Sequence, residues 1–516
     1  MSESPRQYLT TPIYYASGKP HIGHAYTTFL VDTLARYHRQ CGARVFFLTG
    51  TDEYGQKIQE EAAKRGVEPQ QLCDEMATRF ASAWKEMDIE YDRFIRTTEK
   101  EHRGVVRAFL TRLNAKGFIY DALYSGWYCI HEERYWTEKD LTQEGNCPDC
   151  GRPVRQIEEK NYFFRMSLFQ EDLVRHIETN PQWIVPVIRR NEVLGFLQQP
   201  LADLSISRPR SRLQWGIPLP FDEEHVTYVW VDALINYLTA SNAINPEEPA
   251  DAQGFENVTG SWWPADLHIV GKDILTPHAV YWPTLLMAAG LPLPRKLLVH
   301  GWWLAGKAKM SKSLGNVVDP LDLRDEFGTD AVRWYLMREM PTGADASYTK
   351  ARFLARYGEL ANILGNLASR VTSMVMHYRG GALAEAKGAG LNDSIRDTLQ
   401  SFHAAMDMMK IHDALECAMG LARTANGYIE AQEPWKLAKD PARRDELDEV
   451  LASLIRSLVV LSALLLPVMP KKMDELAAGL GLPAAPSLKE AVNISPAGLS
   501  IKGMTPLFPK PESPAD

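Results

Sequence analysis

The chain has 516 residues, 45% of them hydrophobic and 24% charged, with a formal net charge of −8 at pH 7. That length calls for about three domains with real cores, and no run approaches the roughly 20 apolar residues of a membrane helix. The acidic balance excludes global attraction to nucleic acid and leaves only local basic patches for such a partner. Met1-Ser2-Glu3-Ser4-Pro5-Arg6 carries no signal-like segment. Six cysteines, two of them in a C-x-x-C, suit a reducing cytoplasm and a metal better than a disulfide framework. Cys41, Cys73 and Cys417 read as unpaired buried thiols.

In chain order, Gln7 to Tyr15 is rich in β-branched and aromatic residues and reads as one buried strand, broken by Ser17, Gly18 and Pro20. From His21 the apolar positions Ala25, Phe29, Leu30, Leu34 and Tyr37 recur at helical steps, and Gly42 ends the run. His21 and His24 therefore open a helix, where free N–H groups and the dipole favour a phosphate. Gly23 between them lets a flat ring approach the backbone. An isolated H-x-x-H would read equally as exposed histidines or half of a metal site.

Arg44 to Gly50 forms the next strand, followed by helices at 55–65, 69–87 and 101–116, the second entered through Pro69 and the third stopped by Gly117. The alternation implies a parallel sheet with its ligand crevice at the carboxyl ends of the strands, where Tyr15, His21 and Asp52 fall. Residues 118–225 break this rhythm with aromatic strands and prolines and read as an insertion. Alternation returns at Asp266–Gly271, with a helix to Gly290 and a strand from Lys296 to Gly301. Lys307 to Asn316, with three lysines bounded by glycines, describes a mobile cationic loop able to close on a triphosphate. Residues 350–480 are helical throughout, and the Pro-, Ala- and Ser-rich end from Pro483 reads as loosely ordered. The resulting division is 1–117, 118–225, 226–349, 350–480 and 481–516, with no internal repeat.

His21-Ile22-Gly23-His24 and Lys309-Met310-Ser311-Lys312-Ser313, in that order, resemble the two nucleotide-binding signatures of class I aminoacyl-tRNA synthetases. The lead Thr11 to Pro20, the acidic turn Gly50-Thr51-Asp52-Glu53-Tyr54-Gly55, the segment Val229 to Tyr237 and Gly271-Lys272-Asp273-Ile274 with His278 narrow the resemblance to the methionyl-tRNA synthetase family, bacterial type. It implies an α/β architecture: a Rossmann-like parallel-sheet catalytic domain with a knuckle-bearing insertion, then an all-α anticodon-binding bundle. The implied activity is a ligase reaction in two steps, from methionine and ATP with magnesium to methionyl-adenylate, then to charged tRNA(Met), initiator tRNA included.

The same resemblance assigns roles. His21, His24, Lys309 and Lys312 would be catalytic, and Gly23, Lys272, Asp273 and Ser311 would join them around ATP. Asp52 would hold the α-ammonium. Ile13, Tyr15, Trp230, Ala233, Leu234, Tyr237 and His278 would surround the side chain, with Trp230, Leu234 and Tyr237 sharing a helix face. Pro277 departs from the aromatic residue usual before the pocket histidine. Asn366 and Arg370, on one face of a helix, resemble the anticodon readers, and Trp435, after Pro434, resembles the residue that stacks on an unpaired base. Cys147 and Cys150 form half of a zinc knuckle. The other half offers Cys129 and, where a cysteine is usual, Glu132, or else His131. Zinc stays open at this point, because some family members keep the knuckle without metal. The end of the chain, without an appended oligonucleotide-binding domain, favours a monomer.

Three rivals remain. A synthetase for leucine, isoleucine or valine usually carries a larger editing insertion. A small-cofactor nucleotidyltransferase has no need of the helical region, and a non-catalytic tRNA-binding relative should have lost the intact signatures.

Overall fold

Apolar residues at successive positions of a strand, pointing to opposite faces, require burial on both sides of a sheet. In the strands Arg6–Thr10, Arg44–Asp52, Leu267–Gly271 and Leu297–His300, Leu9, Phe47, Ile269 and Leu298 belong to one buried cluster, and Tyr8, Leu48, Val270 and Val299 to another. The computed structural model describes residues 5–130, 134–136, 138–245, 262–305, 308–309, 318–383 and 386–509. Its central sheet runs in the order Tyr14–Tyr15, Arg44–Asp52, Arg6–Thr10, Leu267–Gly271, Leu297–His300, Ile184–Val185, with Arg93–Arg96 also paired to Arg44–Asp52. Every pairing is parallel.

One face packs on the helix Ile22–Gln40 and, in the same continuous core, on the helices from Thr329 onward. The other packs on Lys100–Ala115, Val229–Ala240 and Trp282–Ala289. Among the described residues, no helix is long and apolar enough to cross a membrane.

Several expectations need correction. Gln7 to Tyr15 is two strands rather than one, because the chain steps from Leu9 and Thr10, beside Phe47 and Leu48, to Tyr14 and Tyr15, beside Thr51 and Asp52. Within 118–225 an antiparallel sheet forms from Ile119–Cys129, Arg134–Trp136, Arg155–Phe164 and Leu204–Ser205. Yet Ile184–Val185, from the same stretch, joins the central sheet beside Leu297 and Leu298. Two residues are too few to carry a periodic signal.

The C-terminal stretch is also tied down. Ser487 and Glu490 cap the short helix Leu488–Ala491, Ile501 N–H donates to Gly381 O at 2.8 Å, and Leu507 and Phe508 are buried. A few apolar anchors outweigh the loop-like composition. Cys73 is buried as expected, but Cys41 is exposed and Cys417 only half-buried.

A buried charge cluster joins three parts of the chain. Asp32, on the helix that His21 opens, accepts from Arg333 Nη2 at 2.5 Å, Arg36 Nε at 2.8 Å and Glu90 N–H at 2.9 Å. Burial alone would push this carboxyl up, but the two guanidiniums and the amide hold it below its ordinary range. Arg333 also donates to the carbonyls of Val468 at 2.7 Å and Pro467 at 3.0 Å. These bonds fix the helix Ile22–Gln40 against the end of the helical region.

Candidate active site

The helix Ile22–Gln40 begins at the carboxyl edge of the sheet, and its first turn is capped by imidazoles. His21 Nδ1 accepts from Gly23 N–H at 3.1 Å, and His24 Nδ1 accepts from the N–H of His21 at 3.3 Å. Both neutral rings therefore carry their proton on Nε2, at the edge away from the cap. The rings stack on each other with centroids 3.7 Å apart, and His24 also contacts Tyr14 at 4.7 Å and Phe80 at 5.4 Å. A Cβ on Gly23 would come within 2.9 Å of His21 Cε1. The glycine thus makes room for the capping ring, a reason not legible in the motif.

His21, Gly23 and His24 line one cavity of about 350 Å³. The same cavity is lined by Ile13, Tyr15, Asp52, Trp230, Ala233, Leu234, Tyr237, Asp273 and His278. The i, i+4, i+7 face of Val229–Ala240 does look into it, through Trp230, Leu234 and Tyr237. Tyr15 meets Trp230 edge-on at 6.4 Å. Asp52, at the end of its strand, is 3% exposed.

Its neighbour Glu53 turns the other way. It is fully buried and takes a two-pronged ion pair from Arg96, at 2.7 and 3.0 Å, together with hydrogen bonds from Thr51 and Thr98. Glu53 therefore anchors the acidic turn and leaves Asp52 as its carboxylate facing the cavity.

Lys272 does not line the cavity. Its ammonium is 2.7 Å from Asp345 Oδ2 and lies over the Trp302 ring at 4.1 Å. Pro277 is buried in a π-helical turn, Pro277–Tyr281, and does not line the cavity either. Lys309 pairs through its backbone with Leu304 in the two-strand ladder of Trp303–Ala305 and Ala308–Lys309. Ser311 and Lys312 lie outside the described residues.

Thr27, Asn236, His300, Gly301, Trp302 and Trp303 also line the cavity, and none was singled out from sequence. Thr27 Oγ1 lies 2.8 Å from His300 Nε2 although 273 positions separate the two residues. Only the parallel strand order could have joined them.

The histidines of this region are neutral. Burial lowers the pKa of His278 to about 4 and that of His268 well below the ordinary value, and His300 is lowered as well. His278 Nδ1–H donates to Ile274 O at 2.9 Å, which leaves Nε2 to accept from the Tyr237 hydroxyl at 2.8 Å.

Farther off, Arg370 is paired with Glu430 Oε1 at 2.6 Å, and Asn366 opens the same helix, Asn366–Arg379. Trp435 is half-buried in the short helix Pro434–Leu437, entered through Glu433 at φ 45°. In the connective region, the sulfurs of Cys129, Cys147 and Cys150 all lie within 4.8 Å of one another. A tetrahedral zinc with Zn–S bonds of about 2.3 Å needs sulfurs about 3.8 Å apart, so the set fits. Gly151 N–H donates to Cys147 O at 2.8 Å and closes the turn. His131 and Glu132, the candidates for a fourth ligand, lie outside the described residues.

Buried neutral histidines set a pH dependence. His278, and likewise His102, whose pKa burial lowers to about 3, refuse protons that an unfolded histidine accepts near about 6.5. Stability is therefore full above pH 6.5 and is lost as pH falls, by up to about 1.4 kcal/mol per unit for each such group. Asp330, raised by burial to about 6, acts with the opposite sign below that pH. Thermal unfolding from pH 8 to 5 should show the midpoint dropping below 6.5, and His102→Gln should flatten the drop. A midpoint unchanged to pH 5 contradicts buried neutral rings.

Comparison with known proteins identifies the family. The family model described as tRNA synthetases class I (M) matches residues 7–157 and 152–372. The methionine–tRNA ligase of Caldanaerobacter subterraneus subsp. tengcongensis is 44% identical over 477 residues, covering 91% of this chain and 73% of that one. The methionine–tRNA ligase of Rickettsia conorii is 43% identical, covering 92% of each. The Mycobacterium tuberculosis methionyl-tRNA synthetase in complex with methionyl-adenylate superposes with a TM-score of 0.92 at 37% identity, over 98% of this chain and all of that one. Its apo form gives a TM-score of 0.86 at 34% identity. The chain belongs to the methionyl-tRNA synthetases of class I.

Proposed function

We propose that this chain activates methionine with ATP, releasing pyrophosphate, and then transfers the methionyl group to the 3′ end of tRNA(Met), initiator tRNA included. The observation that carries this reading is the single cavity, in which the apolar wall, a buried carboxylate and two stacked imidazoles face one space. In the first step an oxygen of the methionine carboxylate attacks the α-phosphorus, and the bond to the β-phosphate oxygen breaks. In the second, the terminal ribose hydroxyl attacks the adenylate carbonyl and AMP leaves. The substrate supplies the nucleophile of the first step, so the protein's part is positioning and charge stabilisation.

Asp52 receives the α-ammonium as a charge-assisted partner. Ile13, Tyr15, Trp230, Ala233, Leu234, Tyr237 and His278 enclose the thioether, whose polarizable sulfur favours aromatic surroundings. The Nε2–H groups of His21 and His24 donate to phosphate oxygens at the helix N-terminus. Asp273 and, through its charge behind Trp302, Lys272 serve the adenylate region. Lys309 and Lys312 meet the departing pyrophosphate, and Gly23 and Ser311 join them around ATP. Magnesium accompanies ATP and neutralises phosphate charge.

ATP–pyrophosphate exchange, run separately with methionine, leucine, isoleucine, valine and cysteine, tests the reading. Strong exchange with methionine alone is expected. Exchange with another of these amino acids would overturn the pocket assignment.

For the anticodon we propose that Trp435 stacks on a splayed base while Asn366 and Arg370 hydrogen-bond to base edges, with stacking worth about 1–3 kcal/mol. Trp435→Ala should then slow tRNA charging about tenfold or more and leave exchange nearly untouched. Equal loss of both makes Trp435 structural.

For the knuckle we propose one zinc ion on Cys129, Cys147, Cys150 and either Glu132 or His131. Bound there, it would supply a cross-link that the small turn cannot get from a core. Protein purified without chelator should carry about one equivalent, and under about a tenth rejects the site.

A further inference from the structure

A carboxylate outside the cavity grips one of the residues that line it. Asp345 does not line the cavity, yet its Oδ1 accepts from the backbone N–H of Trp302 at 2.9 Å. Its Oδ2 accepts from the Lys272 ammonium at 2.7 Å, and that ammonium lies over the Trp302 ring, 4.1 Å from the centroid. Asp345 thus sets Trp302 twice, directly at the backbone and through Lys272 at the ring face. The approach is close. A Cβ on Gly301 would come within 2.0 Å of Ala344 O and 2.6 Å of Asp345 Oδ1, so a bare Cα is needed there.

Trp302 carries this constraint into the cavity. Its indole Nε1–H donates to Asp273 Oδ1 at 3.1 Å, and both residues line the cavity. An indole can only donate, so the carboxylate oxygen accepts. The same Oδ1 rests against Gly271, where a Cβ would approach to 2.5 Å. That Cβ would also lie 3.5 Å from His300 Cε1, and His300 Nε2 is 2.8 Å from Thr27 Oγ1, on the helix that His21 opens. The line Asp345–Trp302–Asp273 therefore ends beside the helix N-terminus, where phosphate is favoured.

We propose that Asp345 is a positioning residue for nucleotide binding: it fixes the backbone and ring of Trp302, whose indole then holds the Asp273 carboxylate at the ATP end of the cavity. The inference rests on the cavity being the site of adenylate formation. A carboxylate that loses its angle loses hydrogen bonds to a bound nucleotide and leaves the apolar wall undisturbed. Loss of Asp345 therefore weakens ATP and spares methionine. Asp345 also immediately precedes Ala346–Tyr348, which pairs with Trp303–Ala305 beside Ala308–Lys309. A role through that ladder alone would instead lower kcat and leave the KM for ATP unchanged.

The test is a double-mutant cycle in ATP–pyrophosphate exchange with Asp345→Ala and Trp302→Phe. The first removes both acceptors, and the second keeps a ring under Lys272 but deletes the indole donor. Each single variant should raise the KM for ATP about tenfold, with kcat within about threefold and the KM for methionine within about twofold. Because both act in one line, the double variant should be no more than about twofold worse than the poorer single one.

The proposal is overturned by an unchanged KM for ATP in Asp345→Ala, by an equal rise for methionine, or by a double variant whose loss is the product of the single losses. Should Asp345→Ala fail to fold, Asp345→Asn keeps an acceptor for the Trp302 N–H and loses the ion pair. It must then raise the KM for ATP alone, by at least about threefold. Absence of methionine-dependent exchange in the wild type overturns the reading of the cavity, and the proposal with it.

Discussion

Parallel pairing makes all the strands of a sheet end at one edge, and the candidate site depends on that constraint. Leu9 and Thr10 lie beside Leu267 and His268, and Val270 and Gly271 beside Val299 and His300. The loops that follow these strands open on the same space. The first of them leads to His21, the strand Arg44–Asp52 ends on Asp52, and the later ones supply Asp273 and Trp302. Residues hundreds of positions apart meet because the hydrophobic faces leave the sheet no other way to be buried. The Asp32–Arg333 cluster then ties the helix behind this edge to the end of the helical region.

Burial gives the edge a second property, control of protons. Ring nitrogens whose hydrogen bonds are all to backbone or to neighbouring side chains have little freedom to change tautomer. The cap at His21 and His24 puts their ring protons on Nε2, whereas Tyr237 donates to His278 and His278 in turn to Ile274 O. One cavity thus has ring Nε2–H groups at its His21–His24 end and, at its Tyr237–His278 end, a hydroxyl and an imidazole whose protons are engaged elsewhere. That polarity matches the two halves of an aminoacyl-adenylate, an anion and, for methionine, a weakly polar thioether.

The sequence made part of this legible. Helical spacing exposed the Ile22–Gln40 helix and the shared face of Trp230, Leu234 and Tyr237, because a 3.6-residue period survives without tertiary information. Asp52 was readable from its place after a buried strand. His300 and Thr27 were not, since their meeting depends on strand order across 273 positions. His268 reads as one polar residue in an apolar strand, and its partners Thr10 and Trp282 belong to other elements. Ile184–Val185 is too short to show a period, and the buried tail around Phe508 is anchored by isolated apolar residues in a loop-like composition.

The central claim is that the amino-acid and nucleotide subsites are one continuous space at the sheet edge. Equilibrium competition with a nonhydrolysable methionyl-adenylate analogue tests it most directly. The account predicts that the analogue displaces both methionine and ATP, binds at least about a hundredfold more tightly than methionine, and loses most of that gain in Asp52→Asn. An analogue that displaces only one of the two substrates, or binds no better than methionine, would contradict a shared cavity.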